Sequence, residues 1–449
     1  DDLVLPGKTG ARFKAGNVKS LTEALSTLLS NPDNLKSMGL SARQHIAGFS
    51  YEAATQGLLN CLRSTSAKRG TSPVIIVPEL FRSTGGVQRY SQEMIRALDE
   101  IFRFPQRVVS LNDRKSDLPD SFQSGRVVVT LGSFPRPLRK VALSFLLLFA
   151  RRTSFHLSTH PGPSPALALA RHLFGIPFYC VLHGIDAWSL GRLHRRGLRD
   201  AEAILPVSHF TKDRVSQQMR HHTPPAQVLP NTVDPERFFP ASPGTNWRKR
   251  LGLEESSFVV LTVCRLDRSE TKKGYDQILE SLPALKNEVP SLRWVLAGLG
   301  GDLERIKTRA EALGVSDRCR FPGFIEDREL PDLYRSSNLF VLPSEKEGFG
   351  IVFLEATATG IGAIGGNIDG SVDALGGGAL GKLIDPRDPE ELRDAIVRAS
   401  LEPARDPNAL HHACIERFGR AAFRKRLRTL LGSWVPGADS FDRPSLIES

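Results

Sequence analysis

The chain has 449 residues, a formal net charge of +11 and a pI near 9.6. This length suits two to three domains, and a hydrophobic fraction of 40% is typical of a globular protein. The longest apolar run, Val141–Ala150, is too short to span a bilayer. The five cysteines show no metal-ligand spacing, which argues against a zinc site and favours a reducing compartment. The positive charge suits phosphate-rich ligands, an anionic membrane surface or nucleic acid.

Residues 1–67 contain a pattern that returns near the end of the chain. The stretch DDLVLPGKTGARFKAGNVKSLTEALSTLL aligns with residues 372–400 and keeps the order of turn, strand, turn and helix. The matched residues are Asp2 with Asp373, Gly7 with Gly378, Gly10 with Gly381, Leu21 with Leu392 and Ala24 with Ala395. We favour a partial duplication over chance similarity between two amphipathic helices. Because this segment has no paired glutamates, we expect it to carry no chemistry.

A first series of alternating strands and helices is predicted in residues 68–240. The predicted strands are Val74–Val77, Arg107–Ser110, Arg126–Leu131, Phe155–Ser158, Phe178–Leu182 and Ala203–Pro206. A helix is predicted over Gln88–Leu98 after the first strand. This alternation indicates a parallel sheet covered by helices on both faces. Gly85 and Gly86 fall on the first strand-to-helix turn, where a backbone can approach a phosphate or a sugar.

His183 directly follows one of these strands, in the string HGIDAW. A histidine at the carboxyl end of a parallel strand points into the ligand-binding crevice of an open α/β sheet. The alternative is a structural histidine bonded to a loop carbonyl. His160, in THPGPS, is a weaker candidate because a role in a turn suits it at least as well.

A second series is predicted in residues 241–432, after a linker at Pro240–Asn246. Its predicted strands include Phe258–Val263, Leu292–Ala297 and Leu339–Leu342. Arg265 follows the first of these strands, and Lys272 and Lys273 open the next helix. A rigid guanidinium and a flexible ammonium at this place form a clamp for a diphosphate. The sequence leaves open which lysine makes the contact, and a solvated basic loop is the alternative.

The stretch Ser344–Gly360 reads SEKEGFGIVFLEATATG. A helix is predicted over Ile351–Ala358, ending at Gly360, so Gly348, Phe349 and Gly350 form a strand-to-helix turn. Glycines let backbone amides approach a ligand, and a helix start offers N–H groups to an anion. Glu347 lies before the turn and Glu355 two helical turns further on. One carboxylate can serve the mouth of a pocket and the other a ribose diol. A capping acid and a surface glutamate are the alternative.

Glu347 and Glu355, separated by seven residues, resemble the E-x7-E signature of the family-4 retaining glycosyltransferases. Three further motifs are similar to that family: Cys264-Arg265-Leu266, Lys273-Gly274-Tyr275-Asp276 and the string PNTVDPERF at 230–238. Cys264 and Thr232 stand where the family usually has glycine. The resemblance implies the GT-B fold, in which two Rossmann-like, doubly wound parallel-sheet domains face a cleft. It also identifies residues 1–67 as similar to the C-terminal end of an upstream glycosyltransferase module.

The resemblance assigns roles within that cleft. Glu347 would hold the transferred sugar, Glu355 the nucleotide ribose and His183 the sugar from the opposite domain. Residues 68–240 would form the acceptor-side domain and 241–432 the nucleotide-sugar-binding domain, with a disordered tail at 433–449. The implied catalytic residues are His183, Glu347, Arg265 and Lys273. The implied donor-binding residues are Gly85, Gly86, Arg265, Lys273, Phe324, Glu347, Gly348, Phe349, Gly350 and Glu355.

The segment Arg136–Arg152, RPLRKVALSFLLLFARR, has an apolar centre with basic residues at both ends. Such a helix can lie on an anionic membrane surface and bring a lipid-linked acceptor close. We favour the alternative, a core helix that covers the sheet, because apolar residues occupy nearly all of its central faces.

The sequence thus predicts a glycosyltransferase that moves a sugar from a nucleotide-diphosphate sugar to a hydroxyl of a glycan or lipid-linked acceptor. It would work without cofactor or metal, in the cytoplasm or at the inner face of a membrane, in polysaccharide or cell-envelope synthesis. A sugar-nucleotide epimerase or phosphorylase on the same fold is a rival, as is a catalytically silent module partnering another transferase. A nucleic-acid binder is a weaker rival because no clustered aromatic and basic face is evident.

Overall fold

The computed structural model describes residues 4–47, 73–83, 85–103, 105–149, 153–244, 246–403 and 405–434. It divides into two compact units, Asp1–Thr71 and Ser72–Ser449. The end of the predicted repeat, residues 48–67, and most of the predicted disordered tail, residues 435–449, lie outside the described residues.

The first unit contains two described helices, α1 (Val18–Leu29) and α2 (Pro32–Ala47). The side chain of Asn17 caps α1 by accepting a hydrogen bond from the Ser20 amide at 3.0 Å. No residue of α1 is buried, although its sequence gives it an apolar face. The duplication of residues 372–400 remains a prediction.

The second unit begins with a six-stranded, wholly parallel sheet in the order β3-β2-β1-β4-β5-β6. Its strands are β1 (Val74–Val77), β2 (Arg107–Ser110), β3 (Val128–Thr130), β4 (His156–Ser158), β5 (Phe178–Leu182) and β6 (Ala203–Pro206). Its α-helices are α3 (Gly86–Phe102), α4 (Asp120–Gln123), α5 (Arg136–Phe149), α6 (Ser164–Phe174), α7 (Ile185–Trp188), α8 (Arg192–Arg199) and α9 (His209–Met219). Buried side chains pack on both faces of the sheet, as expected for strands that are apolar throughout.

A second parallel sheet of six strands follows, in the order β12-β11-β10-β7-β8-β9. Its strands are β7 (Phe258–Val263), β8 (Leu292–Ala297), β9 (Cys319–Gly323), β10 (Leu339–Leu342), β11 (Gly362–Gly366) and β12 (Lys382–Ile384). Its α-helices are α10 (Trp247–Arg250), α11 (Tyr275–Glu288), α12 (Leu303–Ala312), α13 (Leu330–Arg335), α14 (Ile351–Ala358), α15 (Ser371–Ala374), α16 (Pro389–Leu401), α17 (Pro407–Phe418) and α18 (Arg420–Trp434). Two doubly wound parallel-sheet domains confirm the predicted fold class.

Helix α16 is the counterpart of α1 in the predicted repeat. Asp388 caps α16 at the position that aligns with Asn17, and both following helices begin at a proline. In α16, however, Leu392 and Ile396 are buried in the core of the second sheet. Their aligned residues in α1, Leu21 and Leu25, are not buried. The same pattern is therefore covered in one copy and uncovered in the other.

Several predicted elements differ from the structure at their ends, and the fourth strand begins at His156 and not at Phe155. The third strand spans Val128–Thr130 and not Arg126–Leu131, and Arg126, before its start, forms an ion pair with Asp99. The helix predicted over Gln88–Leu98 extends from Gly86 to Phe102, where Ile101 and Phe102 are buried. The last helix runs to Trp434, two residues past the expected domain end.

Helix α18 returns from the second domain to the first and packs against α3. Arg420 donates to both oxygens of Glu93 at 2.8 Å, and Arg424 pairs with Glu100. Thr232, which stands where the family has glycine, donates its hydroxyl to the Phe418 carbonyl at 2.8 Å. These contacts bind the two Rossmann-like domains to each other on the side of the C-terminal helix.

A first prediction concerns the first unit. A shortened protein that starts at Lys68 should keep its turnover per folded molecule, because the removed segment brings neither a glutamate pair nor a diphosphate clamp. Circular dichroism and a cooperative melt would establish that the shortened protein folds. A folded product without the activity of the full chain would show that residues 1–67 take part in the expected reaction.

Candidate functional site

A cavity of about 430 Å³ lies where the carboxyl ends of both sheets face each other. This is the edge at which open α/β sheets bind ligands. Most of the predicted site residues line the cavity. They are Gly86, His183, Arg265, Lys273, Glu347, Gly348, Phe349 and Gly350.

The Gly348 turn touches the first domain directly. A Cβ atom on Gly348 would lie 1.9 Å from the His183 carbonyl oxygen, so only glycine fits there. The Gly348 carbonyl accepts hydrogen bonds from the hydroxyls of Ser208 at 2.6 Å and Thr211 at 3.2 Å. Gly350 has φ +91°, a left-handed conformation that lets the backbone turn into α14. The turn is therefore held from both domains.

Lys273 and Glu347 form an ion pair inside the cavity. The Lys273 Nζ donates to Glu347 Oε2 at 2.6 Å, and the two side chains are only 14% and 17% exposed. Lys272 points elsewhere and pairs with Glu345 at 3.3 Å. The structure thus places Lys273, and not Lys272, among the residues that line the cavity. Arg265 lines the same cavity from the end of β7.

Asp369 holds Glu347 in place and was not predicted from the sequence. Its buried carboxylate accepts the Glu347 amide at 2.6 Å and the Ser344 hydroxyl at 2.7 Å through Oδ2. Its Oδ1 accepts the Ser371 amide at 2.9 Å. Burial raises the pKa of Asp369 to about 6. The sequence signal for Asp369 was its place in the glycine-rich stretch 365–378, three residues after the end of β11.

His183 contributes a neutral imidazole to the cavity. Its Nε2 lies 3.0 Å from the Thr159 carbonyl oxygen and must carry the proton, since a carbonyl only accepts. Nδ1 is therefore left as an acceptor. Tyr90 packs edge-on against the ring at 4.8 Å, and burial lowers the pKa of His183. His183 is therefore bonded to a loop carbonyl, as the structural alternative expected, and it also lines the cavity.

Three more polar residues line the cavity from the first domain: His160, Asp186 and Asn231. His160 Nδ1 accepts a hydrogen bond from the Gly162 amide at 2.9 Å, so this histidine has the role in a turn that the sequence suggested. In the neutral ring, Nε2 is then the donor. Asn231 is 8% exposed, and its Oδ1 has no hydrogen-bond partner among the described residues. The only indication of Asn231 in the sequence was its position in the string PNTVD, which resembles a motif of the family.

Glu355 does not line the cavity. It is 1% exposed, and its carboxylate accepts hydrogen bonds from Arg89 of the first domain and from the Tyr334 hydroxyl at 2.9 Å. Arg89 also pairs with Asp327. Burial raises the pKa of Glu355, while the Arg89 charge acts in the opposite direction. A ribose can reach this carboxylate only if the Arg89 contact opens.

Gly85 and Phe324 also lie outside the cavity lining. Gly85 has an extended backbone before α3, and Gly86 approaches the cavity in its place. Phe324 follows β9 and exposes its ring to solvent. No group of three or more histidine, cysteine, aspartate or glutamate side chains with metal-binding geometry occurs in the described part of the chain.

The raised pKa of Asp369 predicts a pH-dependent stability. The folded value of about 6 exceeds the ordinary 3.8, so folding favours the protonated carboxyl. This contribution is complete below pH 4 and is lost as the pH rises through 6. Relative to Asp369→Asn, the natural protein should lose about 2–3 kcal/mol of unfolding free energy between pH 4 and pH 7. Urea denaturation measures this free energy at each pH. If the unfolding free energies of the natural protein and of Asp369→Asn change with pH in parallel, the assignment is contradicted.

Two family models match this chain. Residues 84–237 match the model described as Glycosyltransferase Family 4, and residues 244–417 match Glycosyl transferases group 1. The two matches correspond to the two Rossmann-like domains.

Curated relatives include a GDP-mannose-dependent alpha-(1-6)-phosphatidylinositol monomannoside mannosyltransferase of Mycolicibacterium smegmatis. It is 30% identical over 252 residues, which are 53% of this chain and 64% of the relative. Mannosylfructose-phosphate synthase of Agrobacterium fabrum is 36% identical over 182 residues, which are 38% of this chain and 39% of the relative. The chain thus matches less than two thirds of the length of either relative.

Solved structures agree on the fold. Anabaena HepE, crystallised with UDP and glucose, has a TM-score of 0.66 at 19% identity and covers 81% of this chain and 100% of its own. Sucrose-phosphate synthase from Thermosynechococcus elongatus has a TM-score of 0.66 at 18% identity, covering 81% and 98%. The chain therefore has the GT-B fold, and its two domains match the models described as Glycosyltransferase Family 4 and Glycosyl transferases group 1.

Proposed function

We propose that this protein transfers a sugar from a nucleotide-diphosphate sugar to a hydroxyl of an acceptor, with retention of configuration and without a metal. The observation that carries the proposal is the convergence of Arg265, Lys273, Glu347 and His183 on one cavity between the domains. Two cations, one carboxylate and one neutral imidazole match the groups of a sugar diphosphate.

The diphosphate would lie against Arg265 and Lys273. An incoming diphosphate competes with Glu347 for the Lys273 ammonium, because their ion pair is already inside the cavity. As the bond to the sugar breaks, negative charge grows on the leaving diphosphate. Fixed cations and helix-start amides stabilise that charge most strongly when water is excluded.

The transferred sugar would lie between the two domains. Glu347, released from Lys273, would accept sugar hydroxyls together with the amides of residues 348–350. From the facing domain, His183 Nδ1 and Asn231 Oδ1 are acceptors for further hydroxyls. Asp369 keeps the Glu347 backbone in position and acts only through it.

The nucleoside would lie towards Glu355 and the turn at Phe324. Glu355 would accept the ribose diol once Arg89 has moved away, so donor entry and loosening of the Arg89 contact are coupled. The backbone near Phe324 would contact the base. Arg89 also pairs with Asp327, which follows this turn in the chain.

We place the enzyme in the cytoplasm or at the inner face of a membrane, in polysaccharide or cell-envelope glycan synthesis, with a glycan or lipid-linked acceptor and no nucleic-acid partner. No helix in the described residues has the length and apolar character needed to cross a bilayer. A thermal-shift screen of UDP, GDP and ADP sugars, followed by donor hydrolysis without acceptor, tests the activity. Binding without hydrolysis or transfer to any acceptor would favour a catalytically silent module.

The clamp predicts a difference between two neighbouring lysines. Lys273→Met should lower kcat/KM by about 10²–10³-fold, as expected for removal of one group that stabilises developing charge. Lys272→Met is the matched control and should change it little, because Lys272 pairs with Glu345 away from the cavity. Equal losses in the two variants would assign the effect to general surface charge.

The nucleoside contact predicts weaker donor binding in Glu355→Gln. The amide keeps the size but loses charge-assisted hydrogen bonds, which costs about 1.5–3 kcal/mol in calorimetry. Tyr334→Phe is the control, since it removes one hydrogen bond to the same carboxylate and leaves its charge. Unchanged donor affinity in a folded Glu355→Gln protein would remove Glu355 from the ribose role.

Transfer should continue in excess EDTA. Arg265 and Lys273 supply the positive charge that neutralises the leaving diphosphate, so chelation should leave kcat within about twofold. If EDTA abolishes the activity, and only Mg²⁺ or Mn²⁺ added after dialysis restores it, this part of the proposal is contradicted.

A further inference from the structure

Three helices cover one face of the first sheet and lie side by side. Helix α6 packs against α5 on one flank and α8 on the other. Their inner faces contribute Leu143, Leu147, Leu167 and Leu198 to one buried cluster with the strands. The outer faces of these helices therefore form one continuous layer at the surface.

The outer face of α5 is apolar. Leu138, Val141 and Phe145 are spaced three and four residues apart and are 50%, 51% and 57% exposed. On α6, Leu169 and Leu173 repeat the pattern four residues apart and are also exposed. The expectation of a core helix at 136–152 thus fits one face of α5, where Leu143 and Leu147 are buried and Ala142 and Leu146 pack against the same cluster. The opposite face of α5 is apolar too, and nothing among the described residues covers it.

The outer face of α8 is basic. Its sequence, RLHRRGLR, has four arginines and no acid. Arg192, Arg196 and Arg199 recur every three to four residues opposite the buried Leu198. None of them forms an ion pair with another described residue. The neighbouring acids Asp200 and Glu202 already pair with His172 and Arg171 of α6.

We propose that the outer face of α5, α6 and α8 docks on an anionic lipid bilayer. An exposed apolar ridge beside an arginine ridge matches the acyl and phosphate layers of such a surface. A free anion would explain only the arginines, and an apolar protein partner only the leucines. This surface would hold the protein at the membrane face already proposed for it, but vesicle binding needs no sugar transfer, so either proposal can fail without the other.

Vesicle sedimentation of the full chain tests the proposal without donor or acceptor. The protein should bind vesicles of mixed phosphatidylglycerol and phosphatidylcholine, and bind pure phosphatidylcholine far less. Leu138→Ser, Val141→Ser and Phe145→Ser together should weaken binding at least about tenfold. Arg196→Ser with Arg199→Ser should weaken it about thirtyfold and reduce its salt dependence.

Matched controls lie in the second domain. Leu401→Ser, at a leucine 78% exposed, and Lys249→Ser with Lys382→Ser should leave vesicle binding unchanged. A cooperative thermal melt would establish that each variant is folded. If the triple α5 variant does not fold, the single variant Leu138→Ser is measured in its place. Absence of vesicle binding, or equal binding by all variants, would overturn the proposal. The proposal would also be overturned if sedimentation velocity without lipid showed that the protein is a dimer and that the α5 substitutions convert it to a monomer.

Discussion

The contact between the Gly348 turn and the first domain is the constraint on which the site depends. Two parallel sheets can share one cavity only if their carboxyl edges come close, and here the backbones of His183 and Gly348 meet with no room for a Cβ atom. Ser208 and Thr211 fix the Gly348 carbonyl from the first domain. The elements that carry Glu347 are thereby held opposite His183.

The two glutamates of the E-x7-E pair are each paired with a cation of the protein, one inside the cavity and one outside its lining. Lys273 neutralises Glu347, and Arg89 compensates Glu355, whose burial would otherwise favour protonation. In both pairs a group assigned to the donor is occupied by a protein partner. A nucleotide-diphosphate sugar would replace these contacts one by one, with its phosphates taking Lys273 and its ribose taking Glu355.

The fold was largely predictable because the strands are short, mostly buried and mostly apolar, and most are bounded by turn residues. The predicted bounds of Phe178–Leu182 and Leu339–Leu342 agree with the structure. The turn at Gly348 and the Lys273 region were found for the same reason, since local spacing places them after strands. Asp369 and Arg89 were missed because their roles depend on partners 22 and 266 residues away in sequence. Local pattern carries no information on such tertiary contacts.

The most direct test of the central claim is calorimetry of the full chain with matched ligands in EDTA. For each of uridine, guanosine and adenosine, the nucleoside would be compared with its diphosphate. The account predicts that one nucleoside diphosphate binds with one-to-one stoichiometry, and that its nucleoside binds at least about a hundredfold more weakly, because the clamp recognises the phosphates. Equal affinity for the nucleoside and its diphosphate, or no binding of any diphosphate, would contradict it.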